Sequence, residues 1–234
     1  MAEPRADPVQ TRYSGWSAYI SGAFGILAIV FFALFAALEL PRIVATGDGS
    51  QPFFGTLNDI ALIFQVLFMV PVAIALDRLG KPHDRGLSRV AASFGIAAML
   101  AVAILQTLLV TNLLRIEAEF PLVFTALGVV GVWLMMACHV GRVRATLPSR
   151  LGWLGIVAGV TMAAGGVIVA ASTGLRPLAS PPGPSLAGVL ALIGGAIGAL
   201  GLGIAVPIWA IWLGRLFLSD RLAASEDPAS RGIA

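Results

Sequence analysis

Apolar residues run almost without a break from Asn58 to Leu79, NDIALIFQVLFMVPVAIALDRL, framed by Asn58-Asp59 at one end and Asp77-Arg78 at the other. A helix that crosses a bilayer needs roughly 20 such residues, so this stretch has the length of one crossing. Five other runs repeat the pattern. The spans fall at about 17–40, 58–79, 90–114, 121–140, 151–173 and 186–217, which predicts an all-α, six-helix transmembrane bundle. Span 1 is expected to stop at Pro41. Pro71 inside span 2 loosens that helix, which a membrane helix tolerates where neighbours re-satisfy its backbone. Span 6 is too long for one straight crossing, so Pro207 is expected to mark a kink, with the last turns along the interface. The connections GDGSQP and TGLRPLASPPGPS are read as turn and as non-helical chain. Domain organisation is then simple: a tail at 1–17, one transmembrane domain at 18–218, and a polar tail at 219–234.

Charge sets the orientation. Arg5 and Arg12 lie in the first tail, and Arg78, Lys81, Arg85 and Arg89 between spans 2 and 3. Arg142, Arg144 and Arg150 lie between spans 4 and 5, and Arg215, Arg221 and Arg231 at the end. That places twelve of the 15 basic residues on one side, against Arg42, Arg115 and Arg176 on the other. Cytoplasmic loops carry the excess of Lys and Arg, so both termini are expected in the cytoplasm. Trp16, Trp153 and Trp212 fall at the cytoplasmic ends of their spans, where an aromatic belt belongs. The same count explains a pI near 9.7 without a nucleic-acid partner. The chain is 58% hydrophobic and 12% charged, about half the charge of a soluble domain. The N-terminal stretch is polar for too long and too acidic for a cleaved signal peptide, so span 1 is expected to serve as an uncleaved anchor. The single cysteine, Cys138, excludes an intrachain disulfide and a multi-cysteine metal site.

Candidate chemistry gathers at the outer ends of the first three spans. Glu39 closes span 1, with Arg42 just beyond, and Asn58 and Asp59 open span 2. Arg115, Glu117 and Glu119 cap the turn between spans 3 and 4. At 1.5 Å of rise per residue, Gln65 sits about 9–10 Å below Asp59 and Gln106 about 13 Å below Arg115. Glu39, Arg42, Asn58, Asp59, Gln65 and Gln106 are therefore candidates for an outward-facing pocket between spans 1, 2 and 3, since polar groups within a membrane mark candidate sites. The competing expectation is that the glutamines bond across helices and that the acids are solvated helix ends. Glu39 and Asp59 are the pair nominated for acid–base work. His139 is the only histidine within a span, which leaves no pair for a bis-histidine haem. No Gly-x-Ser-x-Gly, His-Glu-x-x-His or P-loop pattern occurs. No metal site and no cofactor are expected.

Small residues mark the packing surfaces. On span 6, Ala187, Ala191, Gly195, Ala199 and Gly203 recur every fourth residue, with Gly194 and Gly198 as a second row. Span 5 offers Gly155, Gly159 and Ala163. Such rows let helix backbones approach closely. They predict packing of span 5 on span 6, with a homo-oligomer or membrane complex as the alternative use. Gly15-Trp16 with Gly22 and Gly152-Trp153 with Gly159 repeat one spacing, read as a Trp anchor plus a packing glycine used twice.

The segments NDIALIFQVLFMVPVAIALDRL, LPSRLGWLGIVAG and VPIWAIWLGRLFL together resemble the small bacterial six-helix membrane proteins classed as domains of unknown function. The resemblance implies six helices and a bacterial inner membrane, and it supplies no activity and no catalytic residues. The function expected is non-enzymatic: a scaffold, or a binder of a lipid-like or other apolar molecule, with membrane lipids as partners. The alternative is a small intramembrane enzyme or transporter that uses the outer polar cluster.

Overall fold

Helix formation follows from the apolar runs, because a backbone in hydrocarbon must satisfy its polar groups within one segment. The computed structural model describes residues 8–46, 52–80, 85–174 and 186–219, and no strand occurs among them. The chain builds α1 (Pro8–Leu34), a π-helical turn (Phe35–Glu39), α2 (Leu40–Thr46), α3 (Phe53–Gly80), α4 (Arg85–Val110), α5 (Ile116–Val143), α6 (Ser149–Gly174), α7 (Leu186–Leu200), a second π-helical turn (Gly201–Ala205) and α8 (Val206–Leu218). Among the described residues, six segments are long and apolar enough to cross a membrane: Thr11–Ile43, Phe53–Leu79, Arg89–Val110, Ala118–Val143, Ser149–Thr173 and Leu186–Leu218. They are spans 1 to 6 below. The protein is an all-α, multi-pass membrane protein.

Short connections make sequential spans neighbours. Each span packs on the one before and the one after, and span 6 closes the ring against span 1. Two cross-contacts, span 2 on span 4 and span 4 on span 6, fill the interior. Val66, Met69, Val72, Met99, Val102, Leu134, Cys138, Met162 and Trp209 form the buried centre. Ser14 and Ser21, seven apart on one face of α1, tie span 1 to span 2 by donating to the carbonyls of Pro71 and Gln65 at 3.3 and 2.9 Å. We call the face that joins spans 1 to 2 and 3 to 4 distal, and the opposite face proximal.

Several boundaries differ from the sequence reading, each for a local reason. The expected tail at 1–17 is helical from Pro8. Helix also continues through Pro41 to Thr46 instead of stopping at Leu40. The π-helical turn before it explains this, since a wider turn relieves the clash of a proline ring with the preceding carbonyls. Span 6 uses the same device: both π-helical turns end two residues before a proline, Pro41 or Pro207. Thr111 and Asn112, expected inside span 3, lie beyond its end. Asn112 is left-handed (φ 59°), and the N–H groups of Leu113 and Leu114 turn back to the Leu108 carbonyl. Asn is among the residues that end helices this way. The basic connection around Lys81, the turn GDGSQP except Pro52, the proline-rich 175–185 and the tail from 220 lie outside the described residues.

The small-residue rows divide between different partners. Gly159 meets span 4, not span 6: a β-carbon there would stand 2.5 Å from the Gly131 carbonyl oxygen and 2.7 Å from Met135 N. On span 6 the closest backbone approach belongs to Gly194 and Gly198, which meet Gly165 of span 5. In the row chosen from the sequence, Ala191 is buried, Ala199 is half-buried, Gly195 faces the ring of Phe120 and Gly203 faces Ile29 of span 1. Gly155 makes room for the Cys138 thiol and the Trp209 indole N–H.

Candidate functional site

The distal polar residues are positioned by helix ends. Glu39 ends the first π-helical turn and is 9% exposed despite its charge. Its carboxylate accepts from Phe54 N at 3.1 and 3.2 Å and from Gly55 N at 3.4 Å. These are first-turn amides of α3, which have no partner inside their own helix. An anion there also meets the positive end of the helix dipole. Glu39 therefore clamps span 1 to the start of span 2, and its oxygens face backbone donors. Removing a side-chain cap costs about 0.5–2 kcal/mol. Glu39→Ala should lower detergent stability by about that amount, and Glu39→Gln, which keeps one acceptor, by less, as read from thermal unfolding.

Arg42 is exposed, and Thr46 donates to its backbone carbonyl at 2.9 Å. Asn58 is half-buried and donates to Asp59 Oδ1 at 3.2 Å. Asp59 is also half-buried, in the second turn of α3.

Gln65 is 1% exposed and reaches across the bundle. Its Nε2 donates to the Leu202 carbonyl of span 6 at 3.1 Å. Gly25 of span 1 opens the path, since a β-carbon there would meet Pro207 Cγ at 2.5 Å and Gln65 Nε2 at 2.8 Å. Backbone chemistry explains the bond. In the second π-helical turn the N–H of Val206 reaches the Gly201 carbonyl, five residues back. The next bond in that register would join residue 207 to Leu202, but proline has no N–H. The Gln65 amide supplies the donor that Pro207 lacks.

Gln106 is 5% exposed in the last turn of α4. Spans 1 and 3 flank span 2 on opposite sides and make no helix contact with each other among the described residues. The expected pocket between spans 1, 2 and 3 does not gather the two glutamines on one wall: the bond of Gln65 points to span 6, while span 3 touches only spans 2 and 4.

Glu119 is a buried acid that the sequence reading did not nominate. Read from sequence as a turn residue, it is 4% exposed in the first turn of α5, and its Oε1 has no hydrogen-bond partner. Asp59 and Glu119 lie within electrostatic reach of one another. A signal was present in the chain. Glu119 shares the buried phase of Val123, Leu127, Val130, Leu134 and Cys138, the three-and-four spacing of one helix face.

Elsewhere, a cavity of about 90 Å³ lies at the proximal end between spans 2, 3 and 4. Its walls are Leu76, Ala92, Trp133, Met136, Ala137 and Val140, with Asp77 and Arg144 also on its lining. Cys138 is buried and His139 is exposed. Among the described residues, no group of three or more His, Cys, Asp or Glu is placed to hold a metal. Trp16, Trp153 and Trp212 are exposed, and Arg142 lies 4.2 Å over the Trp153 ring. No protein-family model, curated protein or solved structure matches the chain.

Proposed function

We propose that the protein is a non-enzymatic component of a bacterial inner membrane, with both termini in the cytoplasm, that holds a lipid-like or other apolar molecule between its spans. The observation that carries this reading is what the distal polar groups do. Glu39, nominated for acid–base work, accepts two backbone amides, and Gln65, nominated as pocket lining, donates to a backbone carbonyl. Used in this way, the Glu39 carboxylate and the Gln65 amide N–H hold helices together.

The proximal cavity, about 90 Å³, has room for a small apolar group or the end of an acyl chain. Its lining is largely hydrocarbon and indole, and the charged Asp77 and Arg144 border it where a polar headgroup would sit. The twelve basic residues assigned to this face support placing it in the cytoplasm. Exposed Trp16 and Trp153 at the same face support an interfacial belt there.

The test is retention of ligand through purification. Ala137 is half-buried on the cavity wall, and Ala137→Phe fills the space. Protein purified in mild detergent, extracted and analysed by mass spectrometry should release a near-stoichiometric apolar molecule. Ala137→Phe should release several-fold less. Equal recovery from both proteins, or none from the wild type, overturns the reading.

A further inference from the structure

We infer that the distal ends of spans 2, 3 and 4 form a binding site for a small oxygen-preferring cation, with Asp59, Gln106 and Glu119 supplying the side-chain oxygens. The inference goes beyond the apolar-ligand reading and uses the opposite end of the bundle.

Burial without partners is the first observation. Glu119 and Gln106 are 4% and 5% exposed, and the Oε1 atom of each has no hydrogen-bond partner. A buried acceptor left without a donor is unfavourable, and more so when it is charged. Among the described residues, two other buried polar atoms lack a partner, Gln65 Oε1 and Trp209 Nε1, and neither of these is on a carboxylate.

Placement is the second. Span 3 touches only spans 2 and 4 among the described residues, so the buried side chain of Gln106 lies between those two. Gln106 lies four residues before the end of α4, Asp59 six residues into α3 and Glu119 three residues into α5, so an antiparallel bundle with short connections puts all three toward its distal end. Spans 2 and 4 also touch directly, and the charge of Asp59 reaches Glu119.

Charge is the third. The charged group that bears on Glu119 is another carboxylate, and the side-chain donor at Asp59 is the neutral Asn58 amide at 3.2 Å. Two acids and an amide oxygen carried by the adjoining ends of three packed helices, two of them buried without a partner, suit a cation that several oxygens can coordinate at once. The donor set is all oxygen, with no His or Cys in it, which suits Na⁺, Mg²⁺ or Ca²⁺ and not a soft metal. Three side chains fill only part of the shell of such an ion, so water completes it, and half-buried Asp59 gives the path from the distal face.

Ligand binding to the folded state raises its stability with concentration. The full-length protein in detergent, stripped with a chelator, is titrated with CaCl₂, MgCl₂ or NaCl against choline chloride at matched ionic strength. At least one metal cation should raise the unfolding midpoint in a saturable way beyond choline. Glu119→Gln and Asp59→Asn should each remove most of that shift, and Gln65→Leu, outside the site, should keep it. If Glu119→Gln does not fold, Gln106→Leu takes its place, and the shift should again fall. A metal-induced shift of wild-type size in Glu119→Gln, or in Gln106→Leu where that variant stands in, overturns the inference, as does the absence of any metal effect beyond choline.

Discussion

Gly159→Ala should destabilise the bundle by about 3 kcal/mol or more, the upper end of what overpacking costs. The added methyl would stand 2.5 Å from the Gly131 carbonyl oxygen and 2.7 Å from Met135 N. Both are backbone atoms of span 4, so no rotamer change relieves the contact and the helices must separate. Separation would also loosen Gly166 from Gly128, about two turns along span 5 in the same seam, where the backbones approach as closely. Membrane helices gain no hydrophobic drive from meeting one another, and close packing is a main source of their association. Gly195→Ala is the matched control. Its β-carbon would meet the tip of the Phe120 ring at 3.0 Å, and that ring can swing away. It should cost under about 1 kcal/mol. Thermal or denaturant unfolding in a single detergent measures both. Equal losses at the two positions would show that the span 4–5 seam is no tighter than the contact with Phe120.

The contrast between these two glycines shows where the sequence was legible. Runs of about 20 apolar residues placed all six crossings, because hydrocarbon admits few alternatives to a complete helix. Short connections then made sequential spans neighbours. Spacing alone also marked spans 5 and 6 as rich in small residues. It could not say which row met which partner, because a residue every fourth position defines a face but not the direction of that face within a ring. Gly195 and Gly159 looked equivalent in sequence, yet one meets a ring edge and the other a backbone. The polar residues were legible as a group and not as individuals. Glu39 and Gln65 were visible as unusual, but their partners are main-chain atoms of Phe54, Gly55 and Leu202, which carry no residue signature. Glu119 was visible only to a reader who followed the buried phase of span 4 back into its first turn. Pro41 and Pro207 were read as a stop and a kink. The π-helical turns that accommodate them depend on a shift of hydrogen-bond register, which composition does not reveal.

Gln65→Leu should destabilise the protein by about 1–2 kcal/mol, above the average of about 0.6 kcal/mol for a hydrogen bond between membrane helices. The reason is specific to its partner. An ordinary interhelical bond joins side chains that find other partners once it is broken. For the Leu202 carbonyl, the position that would donate in the π register is Pro207, which has no N–H. Leucine in place of Gln65 keeps the volume beside Gly25 and leaves that carbonyl without the Gln65 donor in the interior. The second substitution tests this account. Pro207→Ala restores an N–H at the position that faces Leu202, so Gln65→Leu should cost much less in that background. The coupling between the two sites should then approach the full effect of Gln65→Leu alone, as a double-mutant cycle on unfolding free energies would measure. Additive losses would mean that Gln65 acts by packing against Gly25 and the Pro207 ring, and not as the donor that the proline lacks.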